Sequence, residues 1–355
     1  MSTVQYPLST NGVFDLIIIG AGPAGISAAF EAKKAGLDYV VIEKGLIGNT
    51  IYNYPVGLTV FSTVNELEFN DGDLKPAREK PTREELLSYY VRFVLDNELN
   101  VITETDVVDV FQLPPASALL MGESSQRVFN LFTTGGDFYA RNVLFAIGAM
   151  DHPRRLNVPG EELPKVHSHF RETYPWVKKK ALVVGGGNSA GEAALFLAQE
   201  GAETTLAIFR EDWENTDPKQ GCIKYWVKQP LEEELKENCL RLFFLGKVVD
   251  IREDAVVLES ESGERVELKN DVVFVLIGSD ADLTMLRSLG VETDTGKYGE
   301  VPVYDPKTHE TNVPGIYVAG HFTNKRHIKA AIEAPRKIIP AIADNLLEGQ
   351  KAAGS

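Results

Sequence analysis

Residues 16–43 read LIIIGAGPAGISAAFEAKKAGLDYVVIE. The first four of these residues are apolar and mostly β-branched, which is typical of a buried parallel strand. The glycine-rich residues 20–25 predict a turn, and the apolar periodicity of residues 26–35 predicts a helix after it. A second apolar strand follows and ends at Glu43. The stretch therefore predicts a strand–turn–helix–strand unit whose turn can bind a dinucleotide.

The same plan recurs at residues 181–210, which read ALVVGGGNSAGEAALFLAQEGAETTLAIFR. This stretch again predicts a strand, a glycine turn at residues 185–190, a helix, and a second strand, here ending at Arg210. One nucleotide-binding unit is thus expected twice in the chain.

The remaining segments extend both copies. Each copy continues with antiparallel strands and closes on an apolar strand ending in glycine, at Gly148 and Gly278. A further strand at residues 315–320 and a helical stretch at residues 328–347 have no counterpart in copy two, so they are expected to return to copy one. The predicted fold class is α/β, with two Rossmann-like domains of the three-layer ββα type, one inserted in the other.

Each glycine turn suits a pyrophosphate, which needs backbone N–H donors at a helix N-terminus. Gly20 permits the tight turn, Gly22 leaves room for the phosphates, and Gly25 allows the helix to pack closely. The residues predicted to bind cofactor are Gly20, Gly22, Pro23, Ala24, Gly25, Glu43, Lys44, Ala146, Gly148, Gly320 and His321 in copy one, and Gly185, Gly187, Asn188, Ser189, Ala190, Arg210 and Gly278 in copy two.

The two copies differ in the residue that follows the second strand. Glu43 can accept hydrogen bonds from ribose hydroxyls, which suits FAD. Arg210 suits the 2′-phosphate of NADPH, although Glu211 and Asp212 follow it and NADH stays open. The expected domains are an FAD-binding domain at residues 1–152 and 291–355, and an NAD(P)H-binding domain at residues 153–290.

The composition of the chain limits which kinds of binding partner are expected. The net charge is −15 and the pI about 5.0, which disfavours nucleic acid and anionic membranes. No apolar run approaches a membrane span, and the start of the chain lacks the pattern of a signal peptide. Two cysteines offer no disulfide framework, so we expect a cytoplasmic protein. No metal site is expected, because His167 and His169 lack nearby ligands.

The chain resembles the two-dinucleotide-binding flavoproteins related to low-molecular-weight thioredoxin reductase. The shared stretches are residues 20–25, 144–148, 158–161, 184–190, 275–278 and 314–320. Within that family it most resembles the bacillithiol disulfide reductases, through residues 51–55, 61–63, 80–83 and 223–227. The resemblance implies FAD, NADPH and a homodimer. It also implies that Tyr52 and Tyr54 lie in the loop that approaches the flavin.

Three departures from these relatives concern the reducing step. The chain lacks the Cys-x-x-Cys of thioredoxin reductases, and Ala24 stands where bacillithiol disulfide reductases place a cysteine. His321 replaces the aspartate that follows the last conserved glycine. Cys222 and Cys239 are read mainly as bystanders.

The candidate catalytic residues are therefore His321 and His327. They lie in a basic cluster with Lys325, Arg326 and Lys329, where a histidine can protonate a leaving thiolate. A solvated basic helix start is the alternative interpretation.

The predicted function is transfer of a hydride from NAD(P)H to FAD, followed by reduction of a low-molecular-weight disulfide. The partner would be a small-molecule disulfide or a small redox protein. A ferredoxin–NADP reductase, or a reductase of another non-thiol acceptor, is the first alternative, because those enzymes also lack the dithiol. A non-catalytic flavin or nucleotide sensor is the second.

Overall fold

The computed structural model describes residues 12–120, 127–217, 223–297 and 299–353. The chain divides into two compact units. Unit 1 consists of Met1–Tyr52, Gly57–Asp151 and Asp280–Ser355, and unit 2 of Asn53–Val56 and His152–Ser279.

The strands, in chain order, are β1 Phe14–Ile19, β2 Tyr39–Ile42, β3 Val101–Ile102, β4 Val107–Gln112, β5 Phe129–Thr133, β6 Gly136–Phe145, β7 His152–Pro153, β8 Val166–His167, β9 Lys180–Val184, β10 Glu203–Ile208, β11 Leu240–Ile251, β12 Ala255–Ser260, β13 Arg265–Lys269, β14 Val272–Val275, β15 Ser279–Asp280, β16 Thr293–Gly296, β17 Gly299–Pro302 and β18 Ile316–Val318. The helices are α1 Pro23–Lys34, α2 Asn49–Tyr52, α3 Val64–Leu67, α4 Arg83–Asp96, α5 Pro115–Leu120, α6 Asn188–Gln199, α7 Arg210–Glu214, α8 Tyr225–Lys236, α9 Thr284–Ser288, α10 Ile328–Glu333 and α11 Pro335–Ala353, with a 3₁₀ turn at Tyr174–Trp176.

The main sheet of unit 1 is parallel in the order β3-β2-β1-β6, with β18 paired to β6 on its far side. The first half of β6 pairs with β5 and so carries the antiparallel β4–β5 hairpin. The register places Ile19 beside Ile42 and Phe145, so the strands end together at the edge that carries the glycine turn. The predicted return of the third apolar strand to copy one is confirmed.

The main sheet of unit 2 repeats this parallel arrangement in the order β11-β10-β9-β14-β8. Its antiparallel extension, β12 and β13, grows from the second half of β11. The sequence did not predict β8, which lies beside β14 as β18 lies beside β6. Copy two therefore does have a counterpart of the third strand, supplied by residues that precede its glycine turn. The α/β fold with two dinucleotide-binding units is confirmed.

Each sheet is buried because its strands are apolar on both faces. Residues 16–18 of β1 and 182–183 of β9 are fully buried. In unit 1, helices α10 and α11 pack against α1. The predicted single helix at residues 328–347 is interrupted at Ala334, because Pro335 has no N–H to continue the ladder. Among the helices that the structure describes, none combines the length and apolar character that a membrane span requires.

Gly160 provides a test of the unit 2 fold. It lies at φ +79° against β11, where an added Cβ would come within 1.8 Å of the carbonyl oxygen of Ile251. Gly160→Ala should lower the free energy of unfolding by roughly 3–4 kcal/mol, through left-handed strain and overpacking together. Gly263→Ala is the control, since Gly263 has φ +83° but open space around it, and it should lose only about 1–2 kcal/mol. Equal losses in urea denaturation would contradict the packing argument.

Candidate functional site

The first glycine turn joins β1 to α1 by close backbone contacts. Gly20 has φ +105°, and a Cβ there would lie 2.6 Å from the carbonyl oxygen of Ala146. A Cβ on Gly25 would lie 1.8 Å from the carbonyl oxygen of Gly20. Both positions therefore require glycine, and the N-terminus of α1 is held directly over the end of β1.

Gly22 is the N-cap of α1, and here the reason for a glycine is not a clash with the protein itself. A Cβ there would meet no protein atom within 4 Å, and no side chain caps the helix N-terminus. The added group would stand in front of backbone N–H donors and a positive helix end. This cradle fits the pyrophosphate of a dinucleotide.

Glu43 lies at the end of β2, next to this turn. Its Oε2 accepts the backbone N–H of Ala21 at 2.7 Å, and its Oε1 accepts that of Gly45 at 2.8 Å. Burial raises the pKa of the Glu43 carboxyl. Each oxygen keeps a lone pair, so the fixed carboxylate can still accept ribose hydroxyls. Lys44 forms an ion pair with Asp151 at 2.9 Å.

The second turn has the same construction in unit 2. Gly185 has φ +153°, and a Cβ there would lie 2.3 Å from the carbonyl oxygen of Leu276. Gly187 is the N-cap of α6, with open space at its Cβ position and no side-chain cap. Asn188 accepts the backbone N–H of Lys224 at 2.8 Å, Ser189 is exposed and Ala190 is buried. This turn also fits a pyrophosphate.

Arg210 follows β10 and is held by acids. Its Nε donates to Glu261 at 2.8 Å, and its Nη1 lies 3.5 Å from a carboxylate oxygen of Glu214. The guanidinium also stacks on the Phe244 ring, 3.7 Å from the centroid. The predicted phosphate-binding residue is thus already engaged within its own unit.

Three other predicted glycines have left-handed backbones near the carboxyl ends of the strands. Gly148 follows β6 with φ +69°, and Gly320 follows β18 with φ +103°. A Cβ on Gly320 would lie 3.4 Å from the Cβ of Ala24, so β18 ends next to the first turn. In unit 2, Gly278 has φ +94° and accepts the backbone N–H of Arg154 at 2.9 Å. The structure therefore places Ala146, Gly320 and Glu43 next to the first glycine turn.

The basic segment between β18 and α10 contains two different histidines. Burial, reinforced by the charges of Arg326 and His327, lowers the pKa of His321 to about 4. His321 is therefore neutral near pH 7. His327 is the exposed N-cap of α10. Glu66 of α3 faces this segment, and its pKa is lowered by the Thr63 N–H and further by Lys329 and His327.

The two predicted tyrosines lie in different units. Tyr52 ends α2 in unit 1, where the Arg83 guanidinium donates to its carbonyl oxygen and lies 5.4 Å from its ring. Tyr54 belongs to unit 2, and its pKa is raised by burial and by the charge of Glu192. Stacking of either ring on flavin stays a prediction.

The cysteines contribute little to the described site. Cys222 lies outside the described residues. Cys239 is exposed between α8 and β11, and its Sγ lies within 4.8 Å of carboxylate oxygens of Glu234 and Glu237.

Glu192 is a titrating group that the sequence interpretation missed. It lies in the first turns of α6, and burial raises its pKa to about 7. The available signal was a single acid within the apolar run AGEAALFLA at residues 190–198. A carboxyl group that titrates near neutral pH beside a nucleotide-binding turn is a marker of function.

Glu192 makes stability depend on pH. Its folded pKa of about 7 exceeds the reference of 4.5, so the native state binds the extra proton between these values and stability falls as pH rises from about 4.5 to 7. Glu192→Gln should remove this fall and raise the free energy of unfolding at pH 8 by about 1–3 kcal/mol. Glu200→Gln, an exposed change just past the same helix, is the control. Parallel wild-type and Glu192→Gln curves in urea denaturation from pH 4.5 to 8 would contradict this assignment.

Curated relatives cover nearly the whole chain. It is 35% identical over 306 residues to a bacilliredoxin reductase Bdr of Bacillus subtilis, covering 86% of this chain and 88% of the relative. It is 28% identical over 338 residues to a ferredoxin–NADP reductase of Ignicoccus hospitalis, covering 94% of this chain and 95% of the relative.

Solved structures and a family model agree with these relatives. A bacillithiol disulfide reductase Bdr of Staphylococcus aureus superposes with a TM-score of 0.84 at 31% identity, covering 93% of this chain and 98% of that one. A thioredoxin reductase of T. acidophilum shares the fold, with a TM-score of 0.71 at 20% identity, 95% of this chain and 99% of that one being covered. The pyridine nucleotide-disulphide oxidoreductase model matches residues 17–320. The chain therefore belongs to the pyridine nucleotide-disulphide oxidoreductase family, and it is a flavin-dependent oxidoreductase that uses a nicotinamide dinucleotide.

Proposed function

We propose that this enzyme reduces a low-molecular-weight disulfide with electrons from NAD(P)H, by way of bound FAD. The observation that carries the proposal is the pair of glycine turns, at Gly22 and Gly187, each of which presents an uncapped helix N-terminus with open space at the Cβ position. Two such sites in one chain suit two dinucleotides. The relatives named as Bdr support a disulfide as the final acceptor.

We assign FAD to unit 1 and the nicotinamide coenzyme to unit 2. In unit 1, the fixed Glu43 carboxylate suits an adenosine ribose with a free 2′-hydroxyl, as FAD has. In unit 2, the turn at residues 185–190 would hold the pyrophosphate of NADPH or NADH. A bound flavin accepts a hydride from the nicotinamide ring and supplies two electrons to the disulfide.

The reaction balances as NAD(P)H, one proton and a disulfide giving NAD(P)⁺ and two thiols. The proton has to reach a leaving thiolate. His321 is neutral near pH 7, so its part is hydrogen bonding in a partly buried position. We assign proton delivery to His327, which is exposed at the start of α10.

The cysteine pattern determines how the disulfide is reduced. The chain has neither a Cys-x-x-Cys nor a cysteine in the first glycine turn, where Ala24 is buried. Cys239 has two acidic neighbours. We infer that the flavin reduces the disulfide directly or with an external thiol, in a cytoplasmic homodimer.

A ferredoxin–NADP reductase is the second candidate function. It is favoured by the relative of that name, which aligns over 94% of this chain. The basic residues at 325–329 offer a small positive surface for an acidic redox protein, although Glu66 offsets part of that charge.

Substitutions at Gly22 and Gly25 distinguish an effect on flavin binding from an effect on folding. Gly22→Ala should weaken FAD binding at least tenfold, because its Cβ would enter the cradle, while the apoprotein loses less than about 1 kcal/mol of stability. Gly25→Ala should instead destabilise the apoprotein by roughly 1–3 kcal/mol or more, because its Cβ meets the Gly20 carbonyl oxygen. FAD titration and urea denaturation of both variants make the test. Normal FAD affinity in Gly22→Ala would refute the cradle.

The acceptor is decided by anaerobic kinetics of the flavin-loaded protein. After reduction by NAD(P)H, the flavin should be reoxidised fastest by bacillithiol disulfide, ahead of other disulfides, ferredoxin and quinones. Reoxidation by ferredoxin alone would replace the proposal with the second candidate.

His327→Gln should slow disulfide-driven reoxidation roughly tenfold or more without changing flavin reduction. Lys325→Gln, a neighbouring charge change, is its control.

A further inference from the structure

The end of β10 carries two features that bear on which nicotinamide coenzyme binds unit 2. The first is the hold on Arg210. Glu261, in the β12–β13 turn, accepts the backbone N–H of Arg210 at 3.1 Å with one oxygen and its Nε at 2.8 Å with the other. Glu214 lies 3.5 Å from Nη1, and Phe244 covers a face of the guanidinium. A 2′-phosphate would have to displace a two-point carboxylate clamp.

The second feature is the position of Asp212 in α7. A Cβ built on Gly186 would come within 2.2 Å of Oδ2 of Asp212. The Asp212 carboxylate therefore lies directly against Gly186, the second residue of the glycine turn. In unit 1 the second residue of the turn is Ala21, which donates its N–H to Glu43. Both turns therefore have a carboxylate beside their second residue, but Glu43 accepts the N–H of Ala21, whereas Asp212 lies on the side of Gly186 where a Cβ would project.

The charge around Asp212 favours a ribose 2′-hydroxyl over a 2′-phosphate. A phosphate monoester carries about −1.5 to −2 charges near neutral pH. It would meet the carboxylate of Asp212, with Glu211 adjacent, while the guanidinium of Arg210 is paired with Glu261. A ribose hydroxyl, in contrast, can donate to a carboxylate.

Resting on the proposed function, we propose that the enzyme selects NADH. Asp212 accepts the hydrogen bond of the adenosine 2′-hydroxyl, and Glu261 withholds Arg210 from a 2′-phosphate. The residue type of Arg210 favours NADPH, whereas its surroundings favour NADH.

The test uses the flavin-loaded protein, so that added nucleotides reach unit 2 alone. Calorimetric titration should show 5′-AMP binding at least tenfold more tightly than 2′,5′-ADP. Stopped-flow reduction of the flavin should favour NADH over NADPH by a similar factor. Tighter binding of 2′,5′-ADP, or equal affinity for the two probes, would overturn the inference.

Two variants assign the cause. Asp212→Asn should weaken 5′-AMP about tenfold, the usual range for losing a charged hydrogen bond, and leave 2′,5′-ADP unchanged or tighter. Glu261→Gln should tighten 2′,5′-ADP about tenfold by releasing Arg210, and leave 5′-AMP unchanged. Glu264→Gln, in the same hairpin turn, is the matched control and should change neither. If Asp212→Asn and Glu261→Gln both behave like this control, the inference fails.

The two proposals can fail separately. Faster flavin reduction by NADPH overturns the selection of NADH and leaves the proposed function standing. A flavin that neither coenzyme reduces contradicts the proposed function, and the probe titration then judges coenzyme selection without any turnover.

Discussion

The close approach of α1 to the carbonyl oxygen of Gly20 is the contact on which the rest of unit 1 depends. It brings a helix N-terminus over the edge where three parallel strands end together. The same approach leaves open space in front of Gly22 and places Ala21 within reach of Glu43. One steric requirement, the absence of a Cβ at residue 25, thus creates the anion cradle and positions the carboxylate beside it.

Unit 2 forms its turn without a glycine at the position of Gly25. Its turn approaches the carbonyl oxygen of Leu276, and Ala190 takes the close-packed position that Gly25 has in unit 1. The acid at the turn comes from a short helix after β10 instead of the residue directly following the strand. A backbone plan can therefore be repeated while the acidic residue beside the turn changes, because backbone contacts set the turn and the segment after the second strand supplies the acid.

Local chemistry explains what could be predicted from the sequence. Apolar β-branched runs and glycines with positive φ are local signals, and they gave β1, β2, β9, β10 and both turns within a residue or two. The return of β18 to copy one was predicted correctly, although its premise, that copy two has no counterpart strand, was wrong. In contrast, β8 has two residues and forms only because β14 offers an edge. The apolar run around Glu192 signals that this acid is buried, but the size of its pKa shift depends on the packing that folding supplies.

Arg210 shows most clearly why residue type alone does not determine a binding preference. A guanidinium attracts phosphate only while its charge is uncompensated, and its clamp, Glu261, lies 51 residues further along the chain. The hairpin that brings Glu261 back is itself an extension of β11, so the proposed coenzyme selection would depend on the antiparallel part of the sheet. His321 follows the same rule, since burial and nearby positive charges keep a nominally titratable group neutral. In both cases the neighbours that folding supplies determine the chemistry of the side chain.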